Sequence, residues 1–528
     1  MSHALPYEKL PELLTLQPPS VRLAPNDRVR LPDVYTRLID TAVFQRLRGV
    51  RQLGYVDRVY PDATHSRFAH SLGVFGTAVG YVQALWQDQQ TSFFRDTFKY
   101  PDIRKALVAA LLHDIGQYPN SHVLEDTERT AEGFLSGSMF DHENYTRLLL
   151  TDFGFLEDSL GGGKAGHAAA VEFHRALEGL AVTGVEVAGL LKGDLTRPEE
   201  SVLRAIIDGP IDADKMDYLR RDAHHAGVAF GVSIDAHRFY ESLTCASVEK
   251  PDGDEVHALA LTEKGRAPAE QLLVARGHMF REVYWHKTVR AHEAVLAAAV
   301  ARLRPSVEGF ETWFRRMVLS PSTTDDWFVR SALSLVESGK HEDMHLLADK
   351  MQPEERAAVV AHLKSVLTTS GRTAYKTLLT VTRREDDMLY DVLQDVRDVS
   401  LARRENLMNE LIGKFAARAA DAGLSLGSVH EIVLDVPARR SPANTGWLVE
   451  FDEVGTQSTV TLGDASEMWA QFGRQFHDQA RHVRVFVPWA VRERVKREVR
   501  NGDAILRSCL RDAAVEVGRR AVQLELGV

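Results

Sequence analysis

Histidine and carboxylate side chains cluster in the stretch Ala110–Glu125, which has the sequence ALLHDIGQYPNSHVLE. The adjacent pair His113 and Asp114 ends a strongly apolar segment, and His122 and Glu125 follow after a turn rich in glycine and proline. Polar groups beside an apolar helix must be hydrogen-bonded, ion-paired or bound to a metal, because burying them without a partner is costly. A His-Asp pair alone is a weak motif, so its interpretation depends on partners elsewhere in the chain.

Three further stretches offer such partners. They are QLGYVDRVYPDATHSRFAHS at 52–71, IDADKMDYLRRDAHHAG at 211–227 and RGHMFREVYWHK at 276–287. In the second stretch Asp214, Tyr218 and Asp222 recur every four residues, so they share one stripe of a helix. This polar stripe indicates a lined pocket, although a solvated helix face is the simpler explanation when the stripe is considered alone.

The combined residue types define a chemistry. Two imidazoles and two aspartates form a mixed nitrogen and oxygen set that suits Mn, Fe, Zn or Mg-like ions. Such an ion acidifies a water and neutralises phosphoryl oxygens, and nearby lysine and arginine side chains clamp phosphates. The sequence therefore predicts metal-assisted hydrolysis of a phosphorylated substrate.

The motifs HSRFAHSLG, LLHDIG, NSHVLE and IDADKMDYLRRDAHHAG resemble those of the HD-domain phosphohydrolases. The segments FQRLRGVRQLG and YPDATHSRFAHSLG are similar to the deoxynucleoside triphosphate triphosphohydrolase branch, which includes bacterial dGTPases and the vertebrate SAM-and-HD-domain dNTPase. The expected fold is mainly α, with an HD-domain helical core, a helical extension and a small C-terminal α+β region. We expect no SAM domain, because the amino-terminal arm is too short for one.

The resemblance assigns the metal and acid positions. The four residues that match the family's metal ligands are His70, His113, Asp114 and Asp214. His122 matches the catalytic histidine, Glu125 matches the carboxylate that partners it, and His142 matches another active-site histidine. The implied cofactor is a divalent metal ion, with Mn²⁺, Mg²⁺ and Fe²⁺ all open.

The resemblance also assigns the substrate contacts. The phosphate-contacting positions match Arg67, Lys215 and Arg276. The positions that hold the deoxyribose match Gln52, Leu53, Tyr218, Asp222 and Tyr284. The implied reaction cleaves a deoxynucleoside triphosphate to a deoxynucleoside and inorganic triphosphate, by attack of a metal-activated water on the α-phosphorus with His122 as general acid. Tyr284 is the residue expected to exclude a ribose 2′-hydroxyl.

One loop departs from the family pattern. Gln117 stands where the vertebrate enzyme and many relatives have a second histidine, and bacterial dGTPases have asparagine there. Asn120 replaces a phenylalanine, so we expect the loop shape to differ.

Two alternatives remain open. The bare HD signature also fits hydrolysis of a nucleoside monophosphate, a cyclic dinucleotide or an alarmone, and a non-catalytic nucleotide sensor could keep the same fold. The matches at Gln52, Arg67, Asp222 and Tyr284 favour the deoxynucleotide branch, and the complete set of ligand candidates argues against a sensor. The resemblance further implies a homo-oligomer and leaves activation by an allosteric nucleotide open.

Composition narrows the class of protein. The 528 residues carry a net charge of −10 and a pI near 6.1, which argues against a general nucleic-acid binder. Two cysteines indicate a reducing compartment. There is no signal-peptide pattern and no apolar run long enough for a membrane span, so we expect a cytoplasmic protein.

The apolar periodicity predicts the chain's organisation. Four regions are expected: an amino-terminal arm at 1–33, an HD phosphohydrolase domain at 34–305, a helical extension at 306–423 and an α+β region at 424–528. Single long helices are predicted at Leu203–Arg221 and Pro268–Leu303, and a hairpin at Val21–Leu31. The segment Gly161–Gly166, GGGKAG, is predicted to be a surface loop, because it lacks the remaining features of a phosphate-binding loop.

Overall fold

The computed structural model describes residues 5–526, with gaps at 7, 15–18, 26, 131–132, 135–137, 250–254, 308, 339–350, 368–373, 400, 439–447, 454–455, 471–480 and 500–501. Most of the described chain is α-helical, and short sheets are added to it. The mainly α fold expected from the sequence is therefore confirmed. None of the helices in the described ranges combines the length and apolar character needed to cross a membrane.

Helices form most of the structure. The α-helices span Asp33–Ile39, Ala42–Gln45, Arg67–Gln87, Phe93–Thr97, Tyr100–Leu112, Ser121–Glu128, His142–Thr151, Phe153–Ser159, Gly163–Gly179, Gly184–Lys192, Glu200–Ile207, Ala213–Ala226, Ala236–Tyr240, Arg266–His278, Lys287–Ser306, Phe310–Val318, Asp325–Ser338, Pro353–Leu367, Asp387–Asp398, Leu401–Asp421, Leu462–Ala465, Trp489–Glu498 and Gly502–Leu526. Shorter 3₁₀ turns span Pro11–Leu13, Arg46–Gly49, Val56–Arg58, Glu263–Gly265 and Val429–Glu431, and a π-helical segment spans Met279–Tyr284.

The strands of the described ranges form four small sheets. They span Ser20–Leu23, Asp27–Arg30, Arg129–Thr130, Gly133–Phe134, Leu243–Glu249, Glu255–Thr262, Tyr375–Val381, Val433–Asp435, Leu448–Glu453, Thr456–Thr461 and Val483–Pro488. In the four-stranded sheet, Leu448–Glu453 pairs in parallel with Glu255–Thr262 and antiparallel with Thr456–Thr461. The carboxyl-terminal strands are therefore divided between this sheet and a three-stranded sheet, and the proposed domain boundaries stay a prediction.

Several predicted elements differ from the structure. The predicted helix Leu203–Arg221 is two helices, because Gly209 and Pro210 interrupt it between Ile207 and Ala213. The predicted helix Pro268–Leu303 is likewise divided, by the π-helical segment. The strands between 243 and 262, and the strand at 375–381, lie in regions predicted to be helical.

Two local predictions have opposite outcomes. The amino-terminal hairpin is confirmed, with Ser20–Leu23 antiparallel to Asp27–Arg30. The predicted loop Gly161–Gly166 is wrong in its second half, since a helix begins at Gly163. Helical hydrogen bonding extends into the glycine-rich segment because glycine does not prevent it.

Candidate active site

Three helix ends bring histidine and aspartate side chains to one place. His70 lies in the first turn of the helix Arg67–Gln87, and Asp214 lies in the first turn of the helix Ala213–Ala226. Each of these helices begins after a serine or aspartate whose side chain caps the first turn. His113 follows the carboxyl end of a helix whose last eight residues include seven that are fully or almost fully buried apolar side chains, so the core holds it in place.

The four predicted metal ligands converge. His70 Nε2 lies 3.0 Å from Asp214 Oδ1, and His113 Nε2 lies 3.8 Å from the same oxygen. Asp114 approaches both rings, at 3.7 Å from His70 Nε2 and 3.6 Å from His113 Nε2. One ligand atom from each of His70, His113 and Asp214 lies within 4.8 Å of the other two, which is close enough for a shared ion.

The donor atoms of this cluster fit a cation. His113 Nδ1 donates to the Ala110 carbonyl at 2.8 Å, which leaves the lone pair on Nε2. That Nε2 is buried and has no hydrogen-bond partner among the described residues. His70 Nδ1 is bonded to Asp217 Oδ2 at 2.9 Å, so its Nε2 also faces the cluster. A metal-ligating histidine is typically oriented in this way through its other ring nitrogen.

Electrostatics favour positive charge here. Burial works against the ionised carboxyl of Asp114, yet His113 and Arg67 outweigh it and hold the pKa of Asp114 well below its usual range. Burial likewise disfavours the charged form of His70, but Asp214 and Asp217 raise the pKa of His70 to about 10. The aspartates around these rings are therefore anionic and attract a cation or a proton.

A second group of side chains lies beside the cluster. His122 Nδ1 lies 3.2 Å from Glu125 Oε2, and the other oxygen of Glu125 is hydrogen-bonded to His142 Nδ1. Although burial favours its neutral form, Glu125 has its pKa held well below the usual range by His142 and His122. Despite burial, Glu125 raises the pKa of His142 to about 9. Glu125 is therefore an ionised acceptor that orients two histidines.

A glycine allows His142 to come this close. A Cβ on Gly116 would lie 2.4 Å from the His142 carbonyl oxygen and 2.2 Å from the backbone nitrogen of Thr146. The glycine of LLHDIG therefore permits the helix His142–Thr151 to pack against the loop. Arg46 fixes the same loop from the other side, by hydrogen bonds to the carbonyls of residues 115 and 117.

Arg67 connects the two groups. Its Nη1 donates to Asp114 Oδ2 at 2.7 Å, and its Nη2 donates to His122 Nε2 at 2.7 Å. Desolvation by the surrounding protein and the positive charge of Arg67 lower the pKa of His122, although 63% of the His122 side chain is exposed. The arginine predicted to contact phosphate thus lies between the ligand cluster and the predicted acid.

The loop that departs from the family pattern is held by hydrogen bonds. Gln117 Nε2 lies 3.4 Å from Asp114 Oδ1, and the Ser121 hydroxyl donates to Gln117 Oε1. Asn120 adopts a positive φ of 57°, which asparagine tolerates better than most residues. Its backbone N–H donates to the buried carboxylate of Asp325 at 2.9 Å.

The predicted sugar side has its own polar chain. Tyr284 donates to Asp222 Oδ2 at 2.7 Å, and His65 Nε2 is bonded to Asp222 Oδ1 at 2.8 Å. His65 also stacks on His225, with ring centroids 4.3 Å apart. Tyr284 ends the π-helical segment, an irregularity that is frequent at functional sites.

The remaining predicted contacts surround this chain. The side chain of Gln52 is buried, and its Oε1 has no hydrogen-bond donor among the described residues. Leu53 is half-buried beside it, and the Tyr218 ring lies 6.4 Å from that of Tyr284. Arg276 is close enough to Tyr218 for its charge to oppose the rise that burial causes in the tyrosine pKa.

Lys215 is directed elsewhere in this structure. Its ammonium donates to Asp212 Oδ2 at 2.5 Å and to the Gly209 carbonyl at 2.9 Å. Contact between Lys215 and a phosphate therefore requires rotation of the side chain, and that contact stays a prediction.

Four supporting residues were missed from the sequence. They are Arg46, His65, Asp217 and Asp325. Asp217 and His65 lie inside the motifs already singled out, but the four-residue spacing drew attention to Asp214, Tyr218 and Asp222. The helical spacing of three between Asp214 and Asp217 was an available signal, since both positions share a face.

Comparison with known proteins places this site in a family context. A family model described as HD domain matches residues 67–222, and one described as HD associated region matches residues 234–317. The first match contains all four predicted ligands together with His122, Glu125 and His142.

Curated relatives cover part of the chain. An uncharacterized protein of Methanocaldococcus jannaschii is 30% identical over 275 residues, which are 52% of this chain and 47% of that protein. The deoxynucleoside triphosphate triphosphohydrolase SAMHD1 of Gallus gallus is 28% identical over 331 residues, which are 57% of this chain and 49% of SAMHD1. The chain thus spans about half the length of the curated relatives it matches.

A solved structure shares the fold. The phosphohydrolase from Bacteroides thetaiotaomicron superposes with a TM-score of 0.54 at 19% identity, covering 89% of this chain and 99% of the other. At that identity the likeness concerns the fold alone. Together, the family models, the relatives and this neighbour confirm the resemblance expected from the sequence: the chain contains an HD domain followed by an HD-associated region, in a fold shared with a solved phosphohydrolase.

Proposed function

We propose that the chain hydrolyses deoxynucleoside triphosphates to a deoxynucleoside and inorganic triphosphate, in a reaction that depends on a divalent cation. The observation that carries this proposal is the position of Arg67, which bonds both to Asp114 in the ligand cluster and to His122. The similarity to proteins named as deoxynucleoside triphosphate triphosphohydrolases supports the same substrate class.

The proposed cation site is the cluster of histidines and aspartates. His70, His113, Asp114 and Asp214 would hold the ion, because their ring nitrogens and carboxylate oxygens meet there. When bound, a divalent ion acidifies a water and neutralises phosphate oxygens. Mn²⁺, Mg²⁺ and Fe²⁺ are all compatible with this donor set.

Arg67 and His122 supply the phosphate clamp and the proton. With the Arg67 guanidinium bonded to its Nε2, His122 holds its own proton on Nδ1, facing Glu125. Substrate phosphates attract the guanidinium of Arg67 away from the ring, and their negative charge raises the histidine pKa. His122 then carries a proton on Nε2 and donates it to the leaving 5′ oxygen, while the Glu125 carboxylate stabilises the imidazolium.

The sugar is proposed to lie against the Asp222 chain. Each oxygen of the buried Asp222 carboxyl group has one hydrogen-bond partner, His65 or Tyr284, so the proposed contact with a deoxyribose 3′-hydroxyl uses a remaining lone pair. Gln52 contributes a buried side-chain oxygen that has no donor among the described residues. The Tyr284 ring is placed to exclude a 2′-hydroxyl by its bulk.

Two histidine variants, His122→Ala and His167→Ala, test the proposed function. Purified protein is assayed with Mn²⁺ or Mg²⁺ on each of the four deoxynucleoside triphosphates and on ATP, with chromatographic detection of free triphosphate. His122→Ala is expected to lower the rate by about 10²–10⁴-fold, which is the range for loss of a general acid, with unchanged metal content. His167→Ala is the matched control, because His167 is 58% exposed and likewise bonded to a glutamate, Glu157, at 3.1 Å.

The result can contradict the proposal in separate ways. Triphosphate release at the wild-type rate from His122→Ala would remove the proton-donor role. Release of pyrophosphate or orthophosphate instead of triphosphate would favour another phosphoester reaction. Asp214→Ala is expected to lose both metal and activity, and unchanged metal content in this variant would exclude Asp214 as a ligand. The homo-oligomer and the activating nucleotide stay predictions, which size-exclusion chromatography and mixed-nucleotide assays address.

A further inference from the structure

A cavity of about 550 Å³ adjoins the helix Ser121–Glu128, which carries the proposed acid. The helix Ser121–Glu128 directs His122 and Glu125 to the candidate active site, whereas Val123, Asp126 and Thr127 line this cavity. Its other walls come from the helices at 287–306 and 401–421 and from residues 432–436. Small-molecule sites commonly have this volume, and none of the predicted active-site residues lines it.

Charged side chains make up a large part of the cavity lining. The arginines in its lining are Arg290, Arg302, Arg304, Arg397 and Arg404, and the carboxylates are Asp126, Glu293, Glu355, Glu405 and Asp435. Equal numbers do not mean equal pairing. A single arginine, Arg290, lies within 3.4 Å of three of these carboxylates, those of Asp126, Glu293 and Asp435. Arg304 forms an ion pair with Glu128, which does not line the cavity.

Arg404 has no such ion pair among the described residues. The residue is 6% exposed, and its hydrogen bonds go to the backbone carbonyls of Thr127 and Val399. Its Nε is buried without an acceptor among the described residues. Burial and the neighbouring charge of Arg397 lower the pKa of Arg404 to about 10, although Asp398, Glu128 and Glu405 act in the opposite direction. Arg290 has three carboxylate partners, whereas Arg404 forms no ion pair with a described carboxylate, so its buried charge is only partly compensated.

Part of the lining, here called the alanine wall, is apolar and made of small side chains. Ala294, Ala297, Ala298 and Ala301 line it from one helix, and Ile412 lines it from another. The alanine wall leaves room for a flat, apolar group beside the arginines of the lining.

We propose that this cavity binds a small molecule carrying a phosphate or polyphosphate group, with its anionic end at Arg404 and Arg397 and an apolar group against the alanine wall. Guanidinium groups bind phosphate oxygens through strong, directional hydrogen bonds. This cavity differs from the candidate active site, because none of the predicted metal ligands lines it. The two sites share only the helix Ser121–Glu128, here called the acid helix.

The same arginines hold the acid helix. Arg404 Nη1 donates to the Thr127 carbonyl, and Arg397 Nη2 donates to the Asp126 carbonyl. The last carbonyls of a helix have no partner within it, so these bonds anchor its carboxyl end. A bound phosphate competes for the same guanidinium groups and so alters the anchoring of His122 and Glu125. This regulatory consequence rests on the proposed function, but binding itself does not.

Calorimetric titration with ADP and with pyrophosphate tests the site, using the full chain in EDTA so that no metal or turnover contributes. Arg404→Gln is expected to weaken ADP binding about tenfold, since it removes charge-assisted hydrogen bonds. Ala298→Phe keeps every arginine and fills the apolar side, so it is expected to weaken ADP binding more than pyrophosphate binding. This second variant decides the matter if Arg404→Gln fails to fold.

Two arginine variants locate the ligand. Arg330→Gln on an exposed helix face is expected to leave ADP binding unchanged, and Arg67→Gln measures any contribution of the candidate active site to ADP binding. The proposal is overturned if wild-type protein does not bind either probe, or if sulfate binds as tightly as ADP, which indicates an adventitious ion only. It is also overturned if Arg67→Gln abolishes binding while Arg404→Gln and Ala298→Phe do not. With binding established, hydrogen exchange of the peptide 121–128 is expected to change on addition of ADP.

Discussion

Asp217→Asn is expected to weaken metal binding although Asp217 is not itself a predicted ligand. Its Oδ2 lies 2.9 Å from His70 Nδ1, and Arg221 donates to both of its oxygens, at 2.9 Å and 2.7 Å. Arg221 is in turn anchored on the Ala24 carbonyl at 2.7 Å. The amino-terminal hairpin, the arginine and the aspartate thus form a chain of contacts that ends on a ligand ring.

The expected loss of metal affinity can be judged from the different groups that orient the two ligand histidines. His113 is oriented by a neutral backbone carbonyl, whereas His70 is oriented by an ionised carboxylate, which makes its ring a stronger donor. Loss of such an outer carboxylate typically costs 10–100-fold in metal affinity, which is about 1.4–2.7 kcal/mol. The asparagine keeps the shape and an acceptor oxygen, so we expect the lower half of that range.

Stability must be separated from metal affinity, because Asp217→Asn removes one negative charge from beside the buried Arg221. The double variant Asp217→Asn/Arg221→Gln also removes the charge of Arg221 and is expected to show the same loss of metal affinity with better folding. Asp435→Asn is the matched control: Asp435 also accepts two hydrogen bonds from a buried arginine, Arg290, but it contacts no predicted ligand.

The assay is competition with a chromogenic chelator, with Mn²⁺ at fixed pH, together with metal content after gel filtration. Wild type and Asp435→Asn are expected to agree within a factor of two. Metal affinity of Asp217→Asn and of the double variant within that same factor would refute the reasoning, because it would show that the hydrogen bond to His70 does not strengthen the ligand.

Three further predictions concern neighbouring positions. Gly73→Ala places a Cβ 2.0 Å from Oδ1 of Asp217 and should therefore lower metal affinity. In the control variant Gly80→Ala the nearest atom belongs to Tyr240 and lies at an ordinary contact distance of 3.4 Å. The chelator assay compares the two variants. Tyr284→Ala is expected to raise the rate on ATP relative to dATP, because it opens space beside the sugar; an unchanged ratio would exclude sugar selection by this ring. Burial raises the pKa of Asp325 from its usual 3.8 to about 6, so the folded state holds this proton more tightly than the unfolded state. The free energy of unfolding should therefore fall by about 2 kcal/mol between pH 4 and pH 6, and urea titrations should show that slope lost in Asp325→Asn but kept in the half-exposed neighbour variant Asp326→Asn.

The sequence was most informative where chemistry and helical spacing coincide. The apolar helix that ends at His113 and the four-residue spacing from Asp214 to Asp222 both depend on local periodicity, and the structure has helices at both positions. Identification of the family also depended on local motifs, and the family models confirm it. Convergence of His70 with these residues came from the resemblance, since nothing in a single sequence fixes the distance between separate helices.

The supporting residues could not be predicted in the same way. Asp325 binds the Asn120 loop across 205 residues, and His65 reaches Asp222 across 157 residues. Such contacts depend on how distant elements pack, and buried carboxylates of this kind have no local pattern. The strands between 243 and 262 were missed for a related reason, because an apolar segment packed on one face of a sheet resembles a buried helix in composition.

The acid helix, Ser121–Glu128, is held at both of its ends by arginines from other helices. At its amino end His122 is held by Arg67 from the helix that also carries His70, and at its carboxyl end the backbone is held by Arg397 and Arg404 from the carboxyl-terminal helices. A rigid-body shift of either set of arginines therefore moves His122 relative to the ligand cluster. Effects of carboxyl-terminal substitutions on turnover are accordingly expected without any change in metal affinity, since the predicted ligands lie on or beside other helices.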